Sequence, residues 1–146
     1  MSHSRYALYY TCPPGALADR AAAWLGWDVA RGMRVAHPAL PDLPMPIADV
    51  TETPGKYGFH GTLKPPFRLA EGVTLNAFQN ALAEFASRTP AFAVAQMEGA
   101  ELGSFLALRP SSPCQPLSDF AAACVTEFDR FRAPLNDAEL ARRRAR

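Results

Sequence analysis

The chain carries 14 prolines in 146 residues, and their placement limits what it can fold into. A proline fixes φ and donates no N–H, so it ends helices and is shut out of central strands. Pro13-Pro14 and Pro65-Pro66 each close an apolar stretch, and Pro38, Pro41, Pro44, Pro46 and Pro54 leave residues 28–56 without any sustained period. That spacing excludes a coiled coil or helical bundle. It calls for short elements joined by ordered loops, and a loop as long as 28–56 in a compact domain is often a lid or a binding loop.

Between the prolines the periodicities are clear. Residues 5–12 read as a buried first strand. Leu17, Ala21, Trp24 and Leu25 fall at helical spacing and predict a helix from Ala16 that ends near Gly26. A second strand is expected over 57–64. Thr74 is a candidate N-cap for a helix with the stripe Leu75, Phe78, Leu82, Phe85 and Ala86, ended by Thr89-Pro90. Strands over 91–102 and 105–109, joined at Gly103-Ser104, precede a helix from Pro116 to Arg132 with Leu117, Phe120, Ala121, Cys124, Phe128 and Phe131 on one stripe. Asn136 and Glu139 open a last short helix. The order β-α-β-α-β-β-α predicts one α+β domain, 1–146, with helices on one face of a mostly antiparallel sheet. The other face is then free to form a cleft.

Composition narrows the function classes. Apolar residues make up 49% and charged residues 20% of the chain, enough for a core. Of its 15 basic groups, Arg142, Arg143, Arg144 and Arg146 crowd the end, leaving 11 basic against 14 acidic groups elsewhere, a net of −3. A broadly basic, nucleic-acid-coating surface is thereby excluded. Cys12, Cys114 and Cys124 form no C-x-x-C and no zinc-like spacing, which argues against a disulfide framework or structural zinc and for a reducing cytoplasm. Met1-Ser-His-Ser-Arg-Tyr lacks a charged segment followed by an apolar one, so no signal peptide is expected, and no apolar run approaches roughly 18 residues.

The chemistry concentrates in Tyr57-Gly-Phe-His-Gly-Thr-Leu-Lys64. On a strand, alternate side chains share a face. Tyr57, Phe59, Gly61 and Leu63 suit an apolar face, while Gly58, His60, Thr62 and Lys64 fall on the other. An imidazole, a hydroxyl and an ammonium side by side make a phosphate-transfer half-site, with His60 as acid or base, Thr62 as donor and Lys64 as cation. Arg68 adds a second cation of bidentate geometry. A lone strand histidine is more often structural, and threonine and lysine are ordinary on a solvated strand.

The longer string Tyr57–Phe67 resembles the first His-x-Thr motif of the 2H phosphoesterase superfamily. With the opening Arg5-Tyr-Ala-Leu-Tyr-Tyr strand, the loop with Pro54 and Gly103-Ser-Phe-Leu-Ala-Leu108, the chain resembles bacterial proteins encoded with phosphonate-degradation genes. The resemblance implies a lobe in which His60 is one acid/base group and Thr62 holds a phosphoryl oxygen. It implies metal-free, cofactor-free cleavage of a small cyclic or diester phosphate. Two such motifs share one cleft in that superfamily. Here neither His3, followed by Ser4-Arg5, nor His37, followed by Pro38-Ala39, completes a second one. The resemblance places it beyond Arg146, making this chain the front portion of a longer two-lobed protein.

The remaining candidates have plainer readings. Arg142–Arg146 is a short charge run of the kind that is usually solvated. Tyr9 and Thr11 share one face of the first strand and Tyr6, Leu8 and Tyr10 the other; either set can line the cleft, though packing is the ordinary role. Trp24 and Trp27 read as core and rim, Cys124 as core, and Glu98 and Glu101, three apart, do not share a strand face. Two rival functions stand beside the phosphoesterase: a phosphate-ligand or partner-binding module without turnover, and a single-stranded RNA-binding domain, which the acidic body disfavours.

Overall fold

The computed structural model describes residues 4–103 and 105–145; the side chains of Arg142 and Arg143 are not among what it describes. The expectations that fell on His3, Ser104, Arg146 and those two side chains lie outside the described residues. The chain is α+β. It divides into two compact units, one of Met1–Ala7 with Lys64–Arg146 and one of Leu8–Leu63.

Strand β1 covers Tyr6–Thr11 and β4 covers His60–Phe67, and the two form a two-stranded sheet. The second strand thus begins later than the expected 57–64 and runs through Pro65-Pro66 instead of stopping there. A strand with one paired edge tolerates prolines on its free edge. Arg5 Nη2 donates to the Pro66 carbonyl at 2.8 Å, giving that oxygen a partner. In place of one continuous sheet, the described strands form three two-stranded sheets.

Within Leu8–Leu63, helix α1 is Ala16–Leu25. Gly26 ends it at φ 68, a left-handed conformation that glycine adopts without a Cβ penalty. The stripe expected to be buried is only half so, and Leu17 is 54% exposed. Residues 28–56 hold more order than their prolines suggest. Strand β2, Trp27–Asp28, pairs antiparallel with β3, Met33–Arg34. Asp28 caps the turn, its Oδ1 accepting from Ala30 N at 3.0 Å and Arg31 N at 2.9 Å. Two single-turn helices follow, α2 at Ile47–Val50 and α3 at Glu52–Gly55. Elements this short are set by local turns and hydrogen bonds, and an 11-residue periodicity window cannot register them.

The other unit contains α4 (Leu75–Arg88), β5 (Met97–Leu102), β6 (Phe105–Pro110), α5 (Gln115–Glu127), a 3₁₀ turn at Asp129–Phe131 and α6 (Asp137–Arg144). Thr74 caps α4 by accepting from Ala77 N at 3.1 Å. Phe78 and Phe85, two turns apart, are its buried side chains. They pack with Phe128 at ring distances of 5.8 and 5.3 Å, and Phe78 also meets Phe67 at 5.6 Å and Phe131 at 5.5 Å. These edge-on contacts are the core of the unit. The expected helix to Arg132 ends at Glu127, and the tighter turn that follows brings Phe131 into the cluster. Ala70 N donates to Phe131 O at 2.9 Å, and Ala133 N donates to Arg68 O at 2.8 Å. Asn136 and Glu139 form the capping box that starts α6. Strand β5 pairs antiparallel with β6 from Met97↔Pro110 to Leu102↔Phe105, whereas residues 91–96, expected to be strand, are not. No helix among the described residues is long and apolar enough to cross a membrane.

Candidate functional site

His60 opens β4, just after a sharp change of backbone direction. Lys56, Tyr57 and Gly58 donate their amides back to Thr53 O and Pro54 O, so the turn at α3 delivers the chain to Gly58. Gly58 is buried at φ 72, and a Cβ there would stand 2.8 Å from Val29 Cβ and 3.1 Å from Trp27 Cδ1. Only glycine meets both requirements at once. In this conformation the Gly58 carbonyl lies 2.9 Å from His60 Nδ1. A carbonyl oxygen only accepts, so Nδ1 carries the proton, and in the neutral imidazole the lone pair falls to Nε2. Tyr9 of β1 stacks on the imidazole, with centroids 4.0 Å apart and planes 29° apart, and the Tyr57 ring stands tilted at 6.3 Å. Thr62, two residues on, is exposed, and the position of a Cβ at Gly61 meets only open space.

His60 and Thr62 belong to the unit of Leu8–Leu63, and Lys64 and Arg68 to the other. The structure gives these cations a different task from the ligand contacts expected of them. The Lys64 side chain is 4% exposed, and its Nζ donates to Val125 O at 2.8 Å and to Asp129 Oδ1 at 3.2 Å. Arg68 Nη2 donates to Pro134 O at 2.9 Å and to Glu139 Oε2 at 3.2 Å. The alternation that put Lys64 beside His60 fails along β4, where the buried positions are Lys64 and Phe67, three apart across the two prolines. A buried ammonium requires an acceptor and a counter-charge, and the end of α5 and the turn after it supply both.

These contacts set charges in turn. Hydrogen bonds from Arg132 first, and from Lys64 next, hold the Asp129 carboxyl down at about 2. Asn136 N, then Arg68, holds Glu139 below the ordinary carboxylate range. Folding therefore favours ionised Asp129. Its stabilisation is complete above the unfolded carboxylate range near pH 4 and is lost as pH falls toward 2. Denaturant unfolding at a series of pH values should show wild-type stability falling across that window more steeply than that of Asp129→Asn.

His37, the other described histidine, is structural: its Nδ1 donates to Trp24 O at 3.1 Å, and its ring covers Gly26 so closely that a Cβ there would stand 2.6 Å away. It thereby satisfies a terminal carbonyl of α1. A pocket of about 80 Å³ opens nearby in sequence, lined by Cys12, Asp19, Trp27, Arg31 and Phe59 among others, but not by His60 or Thr62. Phe59 thus lies beside α1, whose Ala18 and Ala22 line the same pocket. The described residues contain no group of three or more His, Cys, Asp and Glu that could hold a metal ion. All three cysteines are free; burial first, then Glu127, pushes the Cys124 thiol up. Tyr9 and the Gly58 carbonyl are the contacts that strand alternation alone did not single out.

Comparison with known proteins adds the following. A family described as "protein of unknown function (DUF1045)" matches residues 62–146, starting two residues past His60. The chain is 36% identical over 145 residues to a ribose 1,5-bisphosphate phosphokinase PhnN of Janthinobacterium sp. (strain Marseille), covering 98% of this chain and 32% of that protein. It is 34% identical over 148 residues to a protein of the same name from Laribacter hongkongensis (strain HLHK9), covering 95% of this chain and 35% of that one. It therefore spans about a third of the length of these curated relatives. No solved structure matches it. With more than half of its residues matched, the chain belongs to the DUF1045 family of proteins of unknown function.

Proposed function

We propose that this chain is the histidine-bearing part of a 2H-phosphoesterase-like protein of phosphonate metabolism, cleaving a small cyclic or diester phosphate by acid–base chemistry. The observation that carries the reading is the bond from His60 Nδ1 to the Gly58 carbonyl, 2.9 Å long. It leaves Nε2 as the proton acceptor. In the step proposed, Nε2 takes a proton from water while the water oxygen attacks phosphorus. One P–O ester bond breaks, and its oxygen leaves with a proton supplied by solvent water. Thr62, exposed on the same strand, donates to a non-bridging oxygen.

The relatives' name refers to a ribose bisphosphate, which supports phosphate esters as the ligand class. Their kinase activity does not transfer on sequence grounds, since the chain contains no G-x₄-G-K-[ST] nucleotide loop. The rival reading, a phosphate-holding module without turnover, would use the same half-site, in which the Lys64 ammonium is already held by Val125 O and Asp129.

The test is ³¹P NMR of 2′,3′-cyclic adenosine monophosphate incubated with the protein and a chelator. The cyclic-phosphate signal should give way slowly to a monoester signal; its persistence over days overturns the reading. One imidazole cannot act as base and acid in the same step. A longer chain that carries a second His-x-Thr/Ser motif should therefore turn the same substrate over roughly 10²–10⁴ times faster.

A further inference from the structure

We infer that Tyr9 is a positioning residue for His60, and that Trp27 and Val29 act on the same imidazole through Gly58. The inference rests on the assignment of His60 as the acid/base group. An imidazole on a strand has two side-chain torsions to fix before its free nitrogen has a defined direction. The Gly58 carbonyl fixes one edge of the ring by accepting from Nδ1 at 2.9 Å. That bond alone is a hinge, about which the ring can still swing. The Tyr9 ring closes the hinge by lying against one imidazole face at 4.0 Å and 29°. Together they define both the plane of the ring and the nitrogen that holds the proton.

The carbonyl is itself held. Trp27 Cδ1 and Val29 Cβ press against the position a Gly58 Cβ would take, and Gly58 N donates to Pro54 O at 3.1 Å. The Gly58 amide has its partner and the space for a side chain is taken, so a larger residue here would have to shift the backbone that brings this carbonyl to His60. Tyr9 is 38% exposed, so its ring contributes less to packing than a core aromatic, and among the described residues its ring contact is with His60. These contacts give the proline-rich segment a second use. By folding into the β2–β3 hairpin and the α3 turn, it supplies the wall and the hydrogen bond that aim the imidazole.

The experiment is long-range ¹H–¹⁵N NMR of the histidine side chains at about pH 8 in the full chain. Wild-type His60 should show a protonated Nδ1 and a pyridine-like Nε2, with its ring protons shifted upfield by the tyrosine ring current. Tyr9→Phe should retain both signatures. Tyr9→Leu should lose the upfield shift and give a mixture of tautomers. With 2′,3′-cyclic adenosine monophosphate it should lower kcat by up to roughly 100-fold while KM stays within a factor of about two, the expected split for a misaimed base. Gly58→Ala should mix the tautomers in the same way. A Tyr9→Leu protein that keeps the single Nδ1–H tautomer overturns the inference, as does a wild-type spectrum without the ring-current shift. If the tautomers respond as stated while His60→Ala hydrolyses the substrate at the wild-type rate, the positioning stands and the phosphoesterase reading falls.

Discussion

Replacing His60 by alanine should abolish hydrolysis of a cyclic phosphodiester, lowering the rate by roughly 10²–10⁴-fold, while the protein stays folded. The first effect follows from chemistry: both described histidines bond a carbonyl through Nδ1, but His37 packs its Nε2 edge over Gly26, whereas His60 has the exposed Thr62 two residues on. The second follows from packing. His60 is half-buried, and its ring contacts among the described residues are with Tyr9 and Tyr57, both exposed residues. Losing one such stack costs about 1 kcal/mol. His60→Gln should be as inactive as alanine, because an amide hydrogen-bonds but does not take up a proton near neutrality. The two rates are compared by ³¹P NMR and the folds by thermal unfolding. Activity that survives in both variants assigns the chemistry to another residue.

The sequence made the helices legible and the sheet much less so. Phe78, Phe85, Cys124, Phe128 and Phe131 were placed on apolar stripes by a 3.6-residue period and are buried, whereas Leu75 and Ala86 of the α4 stripe and Leu17 of α1 are exposed. Thr74, Asn136 and Glu139 cap where short polar side chains before apolar runs predict caps. Strand pairing depends on partners far away in sequence. One continuous sheet was therefore a natural expectation from four strand-like stretches, and three separate pairs are what the described residues form. Lys64 shows why a face assignment is fragile. Strict alternation put it with His60, but two prolines shift the period, and the carboxylate of Asp129 with the carbonyl of Val125 offers the ammonium a place inside. The His60–Thr62 pair was legible as residue types at a spacing. The contacts that orient the imidazole were not, because Tyr9 reaches it through β1–β4 pairing and Gly58 through a turn held by Pro54.

Phe128→Ala should destabilise the protein by about 3–5 kcal/mol, the range for a fully buried aromatic replaced by a methyl group. Phe128 is 1% exposed and packs edge-on against Phe78 and Phe85, so its removal opens a cavity between α4 and the end of α5. For a chain of this length the melting temperature should drop by roughly 10 °C or more. Phe128→Leu should recover about half of the loss by refilling part of the volume. Lys64→Met offers the contrast. It keeps the aliphatic stem and removes the buried charge, so the change should stay within about 1.5 kcal/mol. Thermal and urea unfolding measure all three. If Phe128→Ala melts within a degree or two of wild type, the aromatic cluster is not the core of its unit.

The proposed function requires that a phosphoryl group be held at His60 and Thr62. It is tested most directly by titrating the ¹⁵N-labelled protein with inorganic phosphate and following the backbone and imidazole signals. Saturable shifts are expected at His60, Gly61 and Thr62, with a smaller response at Tyr9 through the stacked ring. No saturable response is expected at Lys64, whose buried ammonium donates to Val125 O and Asp129 Oδ1. Shifts confined to residues 142–146, or none at His60 and Thr62 at any phosphate concentration, would contradict it.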